Sequence, residues 1–373
     1  MLRILLLLLA PLCCALDLPI PSGPYQFTLN DSELIDTSRK DPWGKDTIEY
    51  RRLMISRFDP LPLDTSYCAV NAKVDYMSPN ISAAMDSIFA PLGFPAGVFE
   101  GLDLVYQVSF CRGNETWPIV LFSPGFNSTR NLYSLLAQEV TSQGYTVITI
   151  DHPFDTNVEF PDGTFAVGGN VNFSDTNSIL HALDIRVRDI LFVLDTLGIE
   201  HNAPLNASAF GFGGSFGGAA IAAAMLNDTR LRGGVNLDGK LFGKVITTGL
   251  GRPQPGINQS FILWGASGHN RSSEPEWGTF YESLKRESIY ERELGLLNAS
   301  HITFSDLPLV VDFTGTTLPA KARAVAGFLP GRRVLQILSG YLSNYFQFVL
   351  RGNEGEELLS GPSKDYPEVL FLG

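Results

Sequence analysis

One stretch constrains this chain more than any other: Ala209-Phe210-Gly211-Phe212-Gly213-Gly214-Ser215-Phe216-Gly217-Gly218-Ala219-Ala220. A strand-like apolar run enters Gly-x-Ser-x-Gly, and an alanine-rich, helix-prone run leaves it. Such a turn forces its serine into a strained backbone region and lifts the hydroxyl above a sheet, at a helix N-terminus whose amides favour negative charge. Gly213 and Gly217 are needed because a Cβ would collide with the neighbouring strand or helix. The competing reading is a phosphate or dinucleotide loop. Gly211-Phe212-Gly213-Gly214-Ser215-Phe216 lacks the final glycine of that fingerprint, and no Gly-Lys-Ser/Thr follows. Ser215 is therefore the candidate nucleophile.

The surrounding pattern supplies the frame. Residues 25–36, 51–58 and 104–110 read as strands, and the short apolar runs 118–122, 145–150, 207–212, 233–237 and 261–264 read as strands buried on both faces. Residues 132–142, 179–197, 217–226 and 334–349 carry helical spacing, and 154–176 reads as a long, mostly polar loop. Strands alternating with helices predict an α/β fold, a mostly parallel central sheet with helices on both faces. One catalytic domain is expected over 16–373, with N-terminal strands and an apolar region in 16–100 and the core in 101–350. Residues 78–99 carry Ile81, Met85, Ile88, Phe89, Leu92, Phe94 and Phe99. The plain reading is a helix and loop covering the core; the sharper one is an apolar flap over a lipid-binding pocket.

A serine at its free pKa needs a base, and the base an orienting carboxylate, here in the chain order Ser, acid, His. His269 and His301 follow Ser215 at a useful distance. His301 comes after a charged, helix-like segment, whereas His269 lies in a polar loop beside the glycosylation signal at Asn270 and reads as a surface residue. His301 is the expected base. His152, His181 and His201 precede the serine and read as structural or surface. Asp238 sits at the C-terminal end of the 233–237 strand, where such sheets carry function, and is the expected acid. Asp228 reads as solvated, and Asp306 falls on the wrong side of His301. Two amides must hold the oxyanion. Those of Phe216, after the nucleophile, and Phe126, in the turn Ser123-Pro124-Gly125-Phe126, are expected to do so, with their rings walling an apolar acyl pocket.

The chain's start and its asparagines speak to compartment. A basic start and an apolar run to Ala15, too short to span a bilayer, read as a signal peptide over 1–15, so the protein is expected to be secreted and extracellular. Cleavage leaves Cys68 and Cys111 as an expected disulfide. Ten of nineteen asparagines stand in Asn-x-Ser/Thr, where chance gives about 2.5, as in a glycosylated secretory chain. With 27 basic against 39 acidic side chains, no nucleic-acid partner is expected. No metal cluster or cofactor motif appears, so no metal or cofactor is expected.

These residues resemble a known family. Leu121-Phe122-Ser123-Pro124-Gly125-Phe126 with Leu132-Tyr133-Ser134 is similar to the oxyanion segment of the secreted platelet-activating-factor acetylhydrolases, α/β-hydrolase serine esterases. Gly213–Gly218 resembles their elbow, Leu237-Asp238-Gly239 their acid, and His301-Ile302-Thr303-Phe304-Ser305-Asp306 their His-x-x-Phe-x-Asp segment. The likeness spans about residues 118–306. Gly214 and Pro124 replace family histidines outside the triad. The resemblance implies a calcium-independent esterase acting on phospholipids with a short or oxidised sn-2 acyl chain, touching lipid surfaces transiently. A general short-chain ester or polyester hydrolase is the alternative. An acyltransferase would use the same triad, and a non-catalytic binding protein of this fold would lack part of it.

Overall fold

A computed structural model describes residues 15–44, 49–110, 115–201, 203–250, 259–284, 290–351 and 358–372. The expected signal peptide, apart from Ala15, and Cys111 lie outside them. The strands are β1 (Leu16–Asp17), β2 (Phe27–Lys40), β3 (Tyr50–Pro60), β4 (Ala69–Asp75), β5 (Leu102–Ser109), β6 (Ile119–Ser123), β7 (Thr146–Asp151), β8 (Val158–Glu159), β9 (Phe165–Ala166), β10 (Ala209–Gly214), β11 (Leu231–Leu237), β12 (Ser260–Gly265), β13 (Glu291–Leu296) and β14 (Val369–Phe371). All but β8 and β9 form one sheet ordered β1-β5-β2-β3-β7-β6-β10-β11-β12-β13-β14, with β4 on β5. The six strands from β7 to β13 pair in parallel, and β2–β3, β3–β7 and β13–β14 pair antiparallel.

Side-chain alternation in the central strands sorts the core into two layers. Leu121, Phe261 and Leu263 point to one face, where α3 (Thr176–Thr196), α4 (Phe216–Asn227) and α6 (Pro275–Leu284) pack. Val120, Phe122, Phe210, Phe212, Ile262 and Trp264 point to the other, covered by α2 (Ser134–Thr141), α7 (Leu307–Thr314) and α9 (Gly331–Arg351). The first helix, α1 (Pro79–Phe89), joins this second layer. In α4, Phe216 through Met225 are all buried, which is why its sequence is apolar all round rather than striped. Among the described residues no helix is long and apolar enough to cross a membrane.

Three departures from the sequence pattern have physical causes. The 154–176 loop holds the β8–β9 pair and buries Phe154, Val158, Phe160 and Ala166 in a small core of its own. The charged stretch before His301 is helical in its first part, α6, but ends in the parallel strand β13. On that strand Glu293 is buried against Arg271 and Arg292 stacks over Tyr290, so its charges are held without a helical face. Asp228 is buried rather than solvated, paired with Arg230 at 2.7 Å. Cys68 is disulfide-bonded, and its carbonyl accepts from the Phe110 amide at 2.9 Å, next to the expected partner position.

Candidate active site

The C-terminal ends of five consecutive parallel strands, β6, β10, β11, β12 and β13, deliver every group of the site. At the end of β10, Ser215 has φ 52° and ψ −124°, a region that non-glycine residues adopt at a cost. Its amide still donates to Leu237 O at 2.8 Å, and its carbonyl accepts from Gly218 N at 2.9 Å to open α4. A Cβ on Gly217 would lie 1.9 Å from Ser123 O, and one on Gly213 would lie 2.3 Å from the Gly217 carbonyl carbon. Only glycine fits at either position, as the elbow reading requires.

Asp238 follows β11 directly, also at positive φ (59°). Both candidate histidines meet its carboxylate. His301 Nδ1 lies 2.6 Å from Oδ2 and His269 Nδ1 2.7 Å from Oδ1, and the Ala266 amide donates to Oδ1 at 2.6 Å. A carboxylate only accepts, so each Nδ1 is the donor. Burial would raise the Asp238 carboxyl, but the hydrogen bonds from His269 and His301 outweigh it and hold the group below its ordinary value. The expectation of a surface His269 is therefore corrected. The loop after β12 turns back to bring the ring onto Asp238, and Trp277 covers it at a centroid distance of 4.4 Å. That turn is set by Gly265, where a Cβ would lie 1.9 Å from His269 O.

A cavity of about 130 Å³ opens over Ser215. His301 lines it with Ser215, and so do Met85, Ile88, Phe89 and Leu92, the apolar side of α1 and the turn after it. Residues 78–99 thus both cover the core and roof the site. Phe126 lines the cavity, but Phe216 does not: its ring packs in the core and against Phe173 at 5.3 Å and Phe242 at 5.8 Å. Of the two residues expected to wall a pocket, Phe126 alone is among the cavity's lining, and its ring stacks on Phe173 at 4.3 Å. The helix start directs the Phe216 side chain into the layer beneath.

Behind the turn that carries Phe126 lies a buried polar network that the sequence did not reveal. Arg186, on α3, donates to Pro124 O at 2.5 Å and to Gly125 O at 3.1 Å, pairs with Asp155 at 2.6 Å, and lies over the Phe216 ring at 4.8 Å. Beside it, Ser123 Oγ is 3.0 Å from His152 Nε2, and His152 Nδ1 is 2.9 Å from Asp189 Oδ2, all three side chains fully buried. Burial would raise the Asp189 carboxyl, but Arg51, with its Nη2 at 2.6 Å, pulls it well below the ordinary range. Burial, with the Arg186 charge, pushes the His152 imidazole below its ordinary value. The apolar period of α3 was legible; the role of its one buried arginine was not.

Across the His301 segment, Asp306 accepts from Tyr76 Oη at 3.0 Å and from the Leu135 and Leu136 amides at 2.8 and 3.1 Å. It therefore ties the histidine's loop to the start of α2 and takes no place beside Asp238. Among the described residues no cluster of three or more His, Cys, Asp or Glu is placed to hold a metal ion.

A parallel sheet that presents a serine elbow, a following aspartate and a late histidine at its C-terminal edge defines an α/β-hydrolase. Residues 101–157 match the family model for "Platelet-activating factor acetylhydrolase, isoform II". The chain is 38% identical to the "Probable 1-alkyl-2-acetylglycerophosphocholine esterase" of Arthroderma benhamiae, over 95% of this chain and 93% of that one. It is 26% identical to the "Platelet-activating factor acetylhydrolase" of Canis lupus familiaris over 34% of this chain and 36% of the other. Among solved structures, a ferulic acid esterase from Streptomyces cinnamoneus superposes with a TM-score of 0.74 at 26% identity, covering 96% of this chain and all of that one. The chain belongs to the platelet-activating factor acetylhydrolase, isoform II family, and it is a carboxylic-ester hydrolase.

Proposed function

We propose that this protein is a secreted serine esterase that cleaves the short sn-2 acyl ester of phospholipids of the 1-alkyl-2-acetylglycerophosphocholine type. The observation that carries the reading is the joining, at one cavity, of a strained Ser215 and of His301 bound to Asp238. Ser215 Oγ attacks the ester carbonyl while His301 takes its proton, and Asp238 orients and stabilises the imidazolium. His301 then returns the proton to the leaving alcohol. Water, deprotonated by the same ring, attacks the acyl-enzyme; the Ser215 Oγ–acyl bond breaks, His301 returns the proton to Ser215 Oγ, and the free carboxylic acid leaves.

The amides of Phe126 and Phe216 stabilise the oxyanion. In a trans peptide the carbonyl and the following N–H point in opposite directions. Arg186 holds the Gly125 carbonyl from behind, so the Phe126 N–H turns away from Arg186 and toward the cavity. Preorganisation of this kind is worth about 3–4 kcal/mol per donor in hydrolases.

The size of the cavity supports a short acyl group, and its apolar roof on α1 supports a lipid substrate taken from a surface. The leader, the glycosylation signals and the Cys68 disulfide support secretion. The test is a paired assay of purified protein and Ser215→Ala, with chelator present, on p-nitrophenyl esters of rising length and on a short-acyl phosphatidylcholine. Serine-dependent release from the phospholipid is expected. Activity on simple esters alone would replace the reading with that of a general short-chain esterase.

A further inference from the structure

We propose that His269 is a positioning residue for the catalytic acid. The inference rests on the triad reading above. Asp238 has two carboxylate oxygens, and each takes one imidazole N–H: Oδ2 from His301 at 2.6 Å and Oδ1 from His269 at 2.7 Å. Donors on opposite oxygens fix the carboxylate's rotation, and His269 shares the hold on Oδ1 with the Ala266 amide at 2.6 Å while Oδ2 serves His301.

The two rings sit in different surroundings. The His301 side chain is 50% exposed and reaches the cavity over Ser215; that of His269 is 23% exposed and lies on Trp277, outside that lining. His269 is therefore placed to act through Asp238 rather than on substrate. The charged groups that face it are Asp238 from the end of β11, Glu274 before α6, with Oε2 at 3.9 Å from Nε2, and Glu293 on β13. Lys240 and Arg271 sit on the outer sides of Glu274 and Glu293, at 2.9 Å each. Burial lowers the imidazole, but the Asp238 hydrogen bond and these carboxylates raise it above its ordinary value overall.

His269 donates through Nδ1 in either charge state, so its hold on Asp238 does not depend on its own titration. The consequence is a contribution to kcat by a residue that never touches substrate.

The experiment compares wild type, His269→Ala and His269→Asn across pH 5 to 9 with a soluble short-chain ester. An asparagine amide nitrogen stands near the place of Nδ1 and keeps the hydrogen bond without the titration. His269→Ala is expected to lose about tenfold in plateau kcat with KM nearly unchanged, as for a catalytic group displaced by a fraction of an ångström. His269→Asn is expected to regain most of that plateau. An Asn variant as slow as the Ala variant overturns the proposal, as does an Ala variant whose loss lies in KM rather than kcat. Loss of all turnover in His269→Ala with His301→Ala still active would overturn the triad reading with it; both variants' melting temperatures separate these results from unfolding.

Discussion

Two Ser–His–Asp constellations stand in one chain, about a strand apart. Ser123, His152 and Asp189 make the contacts expected of a triad, with a 2.9 Å His–Asp bond and a 3.0 Å Ser–His bond. His301 and Asp238, beside Ser215, make a 2.6 Å His–Asp bond. The His–Asp bond does not separate them. Their surroundings do. Ser123 is an ordinary strand residue sealed from solvent, with Arg186 at 3.3 Å and no room for an ester. Ser215 stands on a strained turn at a helix N-terminus and opens to a cavity. A nucleophile is made by backbone strain, oxyanion donors and access, with the imidazole as one part among several. The sealed set holds the floor of the oxyanion turn in place.

The comparison breaks most sharply at the serines. Ser215→Ala is expected to lose about 10⁵-fold or more in kcat and to keep its fold. Ser123→Ala is expected to keep turnover and to lose about 1–2 kcal/mol of stability, because the His152 nitrogen loses its buried partner. Steady-state kinetics beside urea unfolding of both variants reads the two effects. Equal loss of turnover in both would erase the distinction.

Arg186 joins the two regions, so its removal should show in both. Arg186→Met is expected to lower kcat by about 10²-fold through the misplaced Phe126 amide. It also costs about 3–5 kcal/mol by leaving Asp155 buried and unpaired. The double variant with Asp155→Asn should recover much of the stability and little of the rate. Full recovery of rate with stability would assign Arg186 to folding alone.

The smallest effect is one of sign. Unfolded histidine titrates near 6.5. His152 is depressed in the fold, so its contribution to stability is present above that value and is lost as the pH falls through the folded pKa. His269 is raised, so its contribution is fully present below that value and is lost as the pH rises through the folded pKa. His152→Gln should flatten the acid loss of stability between pH 7.5 and 5.5, and His269→Asn should steepen it, in denaturation series at each pH. Shifts of the same sign in both variants would contradict the assigned environments.

The active region was the more legible of the two, for a physical reason. An elbow needs glycines where a Cβ would strike backbone, as at Gly213 and Gly217, and that demand is written in consecutive residues. The place of Asp238 just after β11 was readable because the strand's apolar run marks where it ends. His269 was misread because its polar loop gives no sign of folding back onto Asp238. The sealed region was opaque: Ser123, His152 and the α3 pair Arg186 and Asp189 stand on three separate segments and meet only through the packing of β6, β7 and α3. β13 was hidden by its charges, of which Glu293 is paired with Arg271 in the loop after β12 rather than along a helix.

The most direct test is to trap the acyl-enzyme. Protein mixed with p-nitrophenyl acetate, quenched in acid within the burst and digested, is mapped by mass spectrometry for wild type, Ser215→Ala and Ser123→Ala. Acetyl on the Ser215 peptide in wild type and Ser123→Ala, and none in Ser215→Ala, is the predicted result. A burst with acetyl on any other residue, or turnover that persists in Ser215→Ala, would contradict it.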